Sequence, residues 1–198
     1  MSLLIETIKV SGKQFQNIAF HNNRFNKARK ELFGCNEEID ISEVVRIPEN
    51  IGDEIYKCTI TYDSEIKGVT FQRYTIRRIN SFKLVTDNQI EYSYKFADRE
   101  SLNKLLERKE ECDEIVIVKN DFITDTSFSN IVFFDGKKWY TPSSPLLKGT
   151  KREKLLSEGV IAESEIRMND LTKFEKVGLI NAMLEMGDIV ADTSFIKQ

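Results

Sequence analysis

The first part of the chain changes from a strand pattern to a helix pattern. Apolar and polar residues alternate over residues 3–10, which predicts a strand, and residues 15–20 predict the returning strand. Asn22 or Asn23 is suited to cap a helix that Gly34 ends. The chain is therefore expected to begin with a β-hairpin and one amphipathic helix.

The next part is rich in strand patterns. Residues 55–63 and 69–79 predict two strands, joined by a hairpin turn at Lys67-Gly68. Asn80-Ser81 then predicts a linker. We expect a small N-terminal α/β domain over residues 1–80 and a larger C-terminal domain over residues 81–198.

Strands and helices are mixed in the remainder, which predicts an α/β or α+β class. The Asp135-Gly136 pair predicts a type I′ hairpin turn, and Asp98 is placed to cap a helix. Further helices are predicted to begin at Gly149 and at Asn169 or Asp170. The predicted strands are residues 82–85, 90–94, 115–118, 131–134, 137–141, 161–167 and 177–182.

Composition narrows the class of protein. The 198-residue chain has a net charge of −3, so its overall charge does not favour binding to nucleic acid or to an anionic membrane. No apolar run approaches a membrane span. The odd cysteine count of three favours reduced thiols, and the single histidine argues against a zinc site. A cytoplasmic protein without a metal is the expectation.

Two features in the second half predict an anion site and an anionic group. A helix that begins after Gly149 leaves backbone N–H groups available at the positive end of its dipole, which suits a phosphate. Asp125 lies among small polar residues, where a carboxylate can stay ionised and face a cationic partner.

The same region carries a recognisable set of motifs. Residues 125–130, the Thr141-Pro142 pair and residues 147–152 together resemble the class IV aminotransferase family. These are pyridoxal 5′-phosphate (PLP) enzymes of fold type IV, and they include D-amino-acid and branched-chain aminotransferases and 4-amino-4-deoxychorismate lyase. The resemblance implies a D-amino-acid-aminotransferase-like fold of two small α/β domains, with the cofactor cleft between them.

The resemblance also implies roles for two basic residues in the first half. The run from His21 to Phe25 matches the family's His-x-x-Arg-Leu, whose arginine contacts the cofactor phosphate, so Arg24 takes that role. Lys95 takes the role of the catalytic lysine that forms a Schiff base with PLP, and with Arg99 it matches a Lys-x-x-x-Arg detail of the lyases. Without the resemblance, a solvated basic helix face and a surface lysine remain the alternatives.

The remaining cofactor contacts implied by the resemblance lie downstream. Asp125 would pair with the pyridine nitrogen and Leu147 would pack on the ring. The set of implied cofactor-binding residues in this half is Asp125, Ser127, Asn130, Leu147, Gly149, Thr150, Lys151, Asn181 and Ala182. The chain departs from the family twice, with Asp125 in place of the usual glutamate and Thr150-Lys151 in place of Ile-Thr.

Three functions remain open from the sequence. The preferred one is 4-amino-4-deoxychorismate lyase, which releases pyruvate and 4-aminobenzoate in folate biosynthesis. The alternatives are an amino-acid aminotransferase of D-amino-acid or branched-chain type, and a non-catalytic PLP-fold binding protein. The resemblance further implies a homodimer that acts on a small amino substrate. Relatives carry an additional segment at the front, so a differently shaped substrate pocket is expected.

Overall fold

The computed structural model describes residues 3–198, and these form two compact units. The first unit is the chain up to Thr75 together with Tyr94–Asp98. The second is Ile76–Ser93 together with Arg99–Gln198. Residues 76–80, which lie before the predicted boundary, pack with the second unit, whereas residues 94–98, which lie after it, pack with the first.

The first unit is an antiparallel sheet with a helix packed on it. The strands are β1 (Leu4–Ser11), β2 (Gln14–Phe15), β3 (Tyr56–Tyr62) and β4 (Ile66–Arg73), in the order β2-β1-β3-β4, and the helices are α1 (Ile18–Phe33) and α2 (Ile41–Val44). The inward row of β1 is Leu4, Glu6, Ile8 and Val10, and every one of these residues is fully buried. Three of the four are apolar and pack with Phe25 of α1, as the alternation predicted.

The first helix begins earlier than predicted. Only residues 14–15 of the predicted returning strand pair with β1, and the helix starts at Ile18 instead of after Asn22 or Asn23. Asn17 takes a left-handed conformation with φ 55°, which turns the chain out of the hairpin at once, and Ile18 then packs against the core. The predicted end is confirmed, because Gly34 closes α1 with φ 71°.

The turn between β3 and β4 was predicted wrongly at Lys67-Gly68. Both residues lie in β4, and the chain reverses at residues 63–65. There Asp63 Oδ1 accepts the backbone N–H of Glu65 at 3.0 Å, which stabilises the turn locally. An aspartate that binds its own turn was thus a better turn signal than the glycine.

The second unit is built on a larger mixed sheet. Its path runs β10-β9-β8-β7-β6-β5-β13, and β11 pairs with β8 and β12. The strands are β5 (Phe82–Thr86), β6 (Glu114–Lys119), β7 (Phe122–Thr126), β8 (Asn130–Phe134), β9 (Trp139–Pro142), β10 (Ile161–Ser164), β11 (Lys176–Ile180), β12 (Val190–Asp192) and β13 (Ile196–Lys197). The helices are α3 (Glu100–Leu106) and α4 (Thr150–Ser157), with 3₁₀ turns at Glu107–Lys109, Met168–Lys173 and Thr193–Phe195.

Three local predictions between residues 90 and 136 were wrong. Residues 90–94 form no strand, because Asp87 binds the N–H of Ile90 and Lys119 Nζ binds its carbonyl oxygen, so side chains replace a strand partner. Helix α3 has Arg99, not Asp98, at its N-cap. The hairpin after β8 is not type I′, since Gly136 has φ 90° but Asp135 is not left-handed.

Candidate functional site

Asp125 is the centre of a buried hydrogen-bonded cluster in the second unit. It is the penultimate residue of β7 and pairs with Asn130, the first residue of β8. Its Oδ1 accepts from Asn130 Nδ2 at 2.6 Å, and its Oδ2 accepts the backbone N–H groups of Leu146 at 2.6 Å and Leu147 at 3.1 Å. Asn130 Nδ2 also donates to the carbonyl oxygen of Leu147 at 2.8 Å. Three of the predicted cofactor residues are therefore held in one network.

Burial changes the acidity of Asp125. Loss of solvent raises the pKa of this carboxyl from 3.8 to about 6, although the amide of Leu147, the side chain of Asn130 and the charge of Arg152 partly oppose the rise. Asp125 is thus still mainly ionised at pH 7, as expected, but it is a much stronger proton acceptor than an exposed aspartate. A buried anion of this kind suits a cationic ring nitrogen.

Gly149 and helix α4 lie against this network. Gly149 is the N-cap of α4, as predicted, and a Cβ atom there would lie 2.1 Å from Asn130 Oδ1. Its φ of −74° is open to any residue, so the need for glycine is steric. Residue 149 therefore sets how closely the start of the helix approaches Asn130.

The first turn of α4 concentrates positive charge. Thr150, Lys151 and Arg152 are all buried there, although a helix N-terminus disfavours cations. Lys151 Nζ contacts Glu185 Oε2 and Arg152 Nη2 contacts Glu163 Oε1, each at 2.5 Å, and both carboxylate side chains are about half exposed, at 54% and 49%. Arg152 Nε has no hydrogen-bond partner within residues 3–198. Such a site fits an anion such as a phosphate group.

The other predicted residues of this unit lie in turns. Asn181 follows β11, and its Oδ1 accepts the N–H groups of Met183 at 2.8 Å and Leu184 at 3.1 Å. Ala182 is half-buried in the same turn, which also leads to Glu185, the partner of Lys151. The structure thus links this turn to the start of α4.

Ser127 is held through its backbone. Its N–H donates to Glu114 Oε1 at 3.1 Å, and its carbonyl oxygen accepts from Arg99 Nη2 at 2.5 Å. Glu114 is fully buried at the start of β6, and its Oε2 has no hydrogen-bond partner among residues 3–198. The arginine of the Lys-x-x-x-Arg detail therefore contacts the loop after Asp125.

The predicted basic residues of the first unit surround one carboxylate. Arg24 donates to Glu6 Oε1 from Nε at 2.8 Å and to Glu6 Oε2 from Nη2 at 2.7 Å. His21 Nδ1 lies 2.6 Å from the same Oε2. Glu6 and His21 are fully buried, and the Arg24 side chain is 15% exposed. The strand–helix packing of this unit brings the three side chains together.

The charges of this group determine its protonation. Burial alone would raise the pKa of Glu6, but Arg24 and His21 outweigh it and hold the pKa at about 2. Burial lowers the pKa of His21 from 6.5, with smaller contributions in the same direction from Arg24 and Lys95, and Glu6 opposes the shift only partly. Glu6 is therefore an anion and His21 a neutral imidazole at pH 7.

Lys95 lies in the segment that returns to the first unit. It is half-buried, and its carbonyl oxygen accepts the backbone N–H of Ile5 at 2.9 Å. Its positive charge contributes to the lowered pKa of His21, which lies in the same unit. The lysine, Arg24 and His21 are thus in one unit, and the Asp125 network is in the other.

The residues that sequence reasoning missed are mainly carboxylates. Glu6, Glu114, Glu163 and Glu185 each hold one or more site groups. A signal existed for two of them, because Glu6 stands on the inward row of β1 and Glu114 begins the apolar run of β6. A charge on an otherwise apolar row marks a buried, partnered group. Glu163 and Glu185 carry no comparable signal.

The comparisons with known proteins define the class. The sequence pattern of the amino-transferase class IV family matches residues 100–191. An uncharacterized protein of Haemophilus influenzae is 37% identical over 182 residues, which are 91% of this chain and 97% of that protein. The chain belongs to the class IV aminotransferase family, whose members depend on PLP.

Solved structures agree with this fold. A Haemophilus somnus protein, proposed to be a 4-amino-4-deoxychorismate lyase, is 34% identical with a TM-score of 0.85, over 92% of this chain and 97% of that one. A Mesorhizobium loti protein, proposed to be an amino-acid aminotransferase, is 19% identical with a TM-score of 0.82, over 97% and 99%. A PLP-bound Mycobacterium tuberculosis protein, named a hypothetical aminotransferase, is 16% identical with a TM-score of 0.77, over 98% and 81%. The fold-type-IV prediction is confirmed.

Residues 3–198 lack two features that would point to other classes of protein. Within this range no helix combines the length and the apolar character that crossing a membrane requires. Nor does the same range contain a group of three or more His, Cys, Asp or Glu side chains arranged to hold a metal ion.

Proposed function

We propose that the protein is a PLP-dependent 4-amino-4-deoxychorismate lyase, which releases pyruvate and 4-aminobenzoate. The observation that carries the proposal is the 34% identity to the Haemophilus somnus protein across 97% of that chain. The retained lysine, buried aspartate and glycine-capped helix support catalysis over mere binding. Such a reaction belongs to folate biosynthesis.

PLP, when bound, supplies an aldehyde that joins an amine and a ring that accepts electrons from the substrate's Cα. In this proposal Lys95 would be the amine that holds the cofactor, and the same amine would serve as the base for the Cα proton. Asp125 would hold a proton on the ring nitrogen, and Leu147 would supply an apolar contact to the ring. The candidate phosphate contacts would be Arg24 in the first unit and, in the second, the amides at the start of α4 and Lys151. Further cofactor contacts would come from Ser127, Asn130, Thr150, Asn181 and Ala182.

The experiment is a product assay on purified protein loaded with PLP. With 4-amino-4-deoxychorismate, we expect 4-aminobenzoate and pyruvate in equal amounts. Asp125→Asn should retain PLP but lose at least about tenfold in turnover, since each ~1.4 kcal/mol of barrier is a factor of ten. Asp135→Asn is the control, because Asp135 also accepts two backbone N–H groups, at 2.8 Å each, but lies in an exposed hairpin turn. Equal rates for the wild type and both variants would refute the role of Asp125.

An amino-acid aminotransferase is the second candidate, favoured by the family description itself. Both reactions use the same lysine, aspartate and phosphate contacts, so the product distinguishes them. Formation of an amino acid from a D- or branched-chain donor and a keto acid, without 4-aminobenzoate, would select the aminotransferase.

A homodimer is proposed for either activity. Family members complete the active site with a loop of the partner, and a stable dimer buries about 1,000 Å² or more. Sedimentation at micromolar concentration should give twice the mass of the chain. A fully active monomer would contradict it.

A further inference from the structure

Glu6 is the one charged residue on the inward row of β1. A fully buried carboxylate is costly unless hydrogen bonds compensate it, and Glu6 accepts two from Arg24 and one from His21. These two basic residues precede Lys95 by a long stretch of sequence but lie in the same unit with it. One side chain therefore organises the predicted basic part of the site.

We propose that Glu6 is a positioning residue, which orients Arg24 towards the cofactor phosphate and sets the tautomer of His21 in the unit that also carries Lys95. This inference rests on the proposed PLP chemistry. Glu6 would contact neither cofactor nor substrate, and it would act through the two side chains that it holds.

The orientation of Arg24 follows from the planarity of its guanidinium group. Glu6 engages Nε at 2.8 Å and Nη2 at 2.7 Å, a two-point contact that fixes the plane of the group. Because Glu6 binds the edge formed by Nε and Nη2, the edge that carries Nη1 is directed away from Glu6. A phosphate oxygen would then meet a donor whose direction is already determined, which reduces the ordering cost of binding.

The tautomer of His21 follows from the charge of Glu6. An ionised carboxylate only accepts, so the hydrogen in the 2.6 Å contact belongs to His21 Nδ1. The ring is neutral at pH 7 because burial lowers its pKa, so Nε2 carries a lone pair. His21 thus presents an acceptor, not a donor, from the ring side opposite Glu6.

Glu6 could instead serve only as a counter-charge that stabilises the fold. The two roles predict opposite effects of Glu6→Gln on phosphate binding. Removing an anion near a phosphate group strengthens attraction to the remaining cation, so a mere counter-charge predicts equal or tighter binding. Loss of the orientation of Arg24 predicts weaker binding.

The test compares dissociation constants of PLP and of pyridoxal, which lacks the phosphate, for the apoprotein. The ratio of pyridoxal to PLP constants isolates the phosphate contribution. We expect Glu6→Gln to lower the ratio about tenfold, the size of one charged hydrogen bond, and Glu6→Asp to recover part of it. Glu31→Gln is the matched control, since Glu31 accepts from the Tyr94 hydroxyl at 2.9 Å in the same unit but is exposed. An unchanged or raised ratio in Glu6→Gln overturns the proposal.

A second measurement needs no cofactor. The chain has one histidine, so its ¹⁵N ring signals require no assignment. We expect a protonated Nδ1 and an unprotonated Nε2 in the wild-type apoprotein at pH 7, and loss of this single form in Glu6→Gln. An Nε2-protonated ring in the wild type overturns the tautomer assignment even if variants fold poorly. If the wild type does not bind PLP, the proposed function fails with the inference; if it binds and only the Glu6 effects are missing, the inference alone fails.

Discussion

Ile5 donates its backbone N–H to the carbonyl oxygen of Lys95 at 2.9 Å. The N–H of Ala97 donates in the same way to the carbonyl oxygen of Leu3 at 2.8 Å, and Phe96 bridges Leu4. The strand that carries Glu6 therefore also holds the backbone of the predicted catalytic lysine. Sheet pairing fixes a backbone more firmly than an exposed loop does, so the position of Lys95 is determined by β1.

The first prediction concerns covalent attachment of PLP at Lys95. Protein incubated with PLP should show a visible absorbance band, and borohydride should fix the cofactor to the peptide that contains Lys95. Lys95→Ala should lose the band. Lys104→Ala is the control, because Lys104 is an exposed lysine paired with Glu100 on α3. A label on any other lysine would contradict the assignment of Lys95 as the residue that binds PLP covalently.

The second prediction concerns Gly149→Ala. Its Cβ would lie 2.1 Å from Asn130 Oδ1, so Asn130 must move and weaken its bond to Asp125. Overpacking of this kind costs about 1–3 kcal/mol of unfolding free energy, and PLP affinity should fall with it. Gly68→Ala is matched, since no atom lies within 4 Å of its added Cβ. Urea unfolding of both variants is the measurement, and equal losses would contradict the steric explanation.

The third prediction concerns the pH dependence of stability through Asp125. Its folded pKa of about 6 lies above the ordinary value of 3.8, so between these values the folded state holds a proton that the unfolded chain has released. The unfolding free energy contributed by Asp125 therefore falls as pH rises from about 4 to about 6, by roughly 3 kcal/mol in total.

The comparison of wild type with Asp125→Asn isolates this effect, because other carboxylates titrate alike in both proteins. Urea unfolding of the apoproteins at several pH values should show the wild type losing stability relative to the variant over that interval. If the unfolding free energies of the two proteins changed with pH in parallel, the folded pKa of Asp125 would not be raised.

The sequence predicted features that depend on neighbouring residues. The apolar alternation of β1, the end of α1 at Gly34 and the start of α4 at Gly149 all follow from local patterns. Asp125 and Asn130 were also predicted, from the family motif. The turn at residues 63–65 was missed because Lys67-Gly68 carried the more familiar signal.

The features that the sequence did not predict depend on contacts between residues that are far apart in sequence. The bonds from Asp125 to the amides of Leu146 and Leu147 span 21 and 22 positions, and the contact between Lys151 and Glu185 spans 34. No periodicity specifies such pairs. The sequence could not predict the raised pKa of Asp125 either. The small polar neighbours of Asp125 in sequence suggest exposure, whereas the fold buries the carboxyl.

The last prediction concerns the contact between Lys151 and Glu185. Lys151 is a buried cation at the positive end of α4, and its carboxylate partner is about half exposed. In Glu185→Gln the Lys151 cation loses its carboxylate partner, so the unfolding free energy of the apoprotein should fall by about 1 kcal/mol. The loss is smaller than for a fully buried pair because Glu185 is solvated. A phosphate group would then be the main anion for Lys151, so the preference for PLP over pyridoxal should increase.

Glu158→Gln provides the control, since Glu158 pairs with Lys154 of the same helix, and the Lys154 side chain is 29% exposed whereas that of Lys151 is 3% exposed. Lys151→Met should act in the opposite direction and reduce the preference for PLP, because it removes the cation. The measurements are urea unfolding of the apoproteins and titration with PLP and pyridoxal at fixed ionic strength. If Glu185→Gln and Lys151→Met both leave the preference unchanged, Lys151 does not contact the phosphate, and α4 would bind it through backbone amides alone.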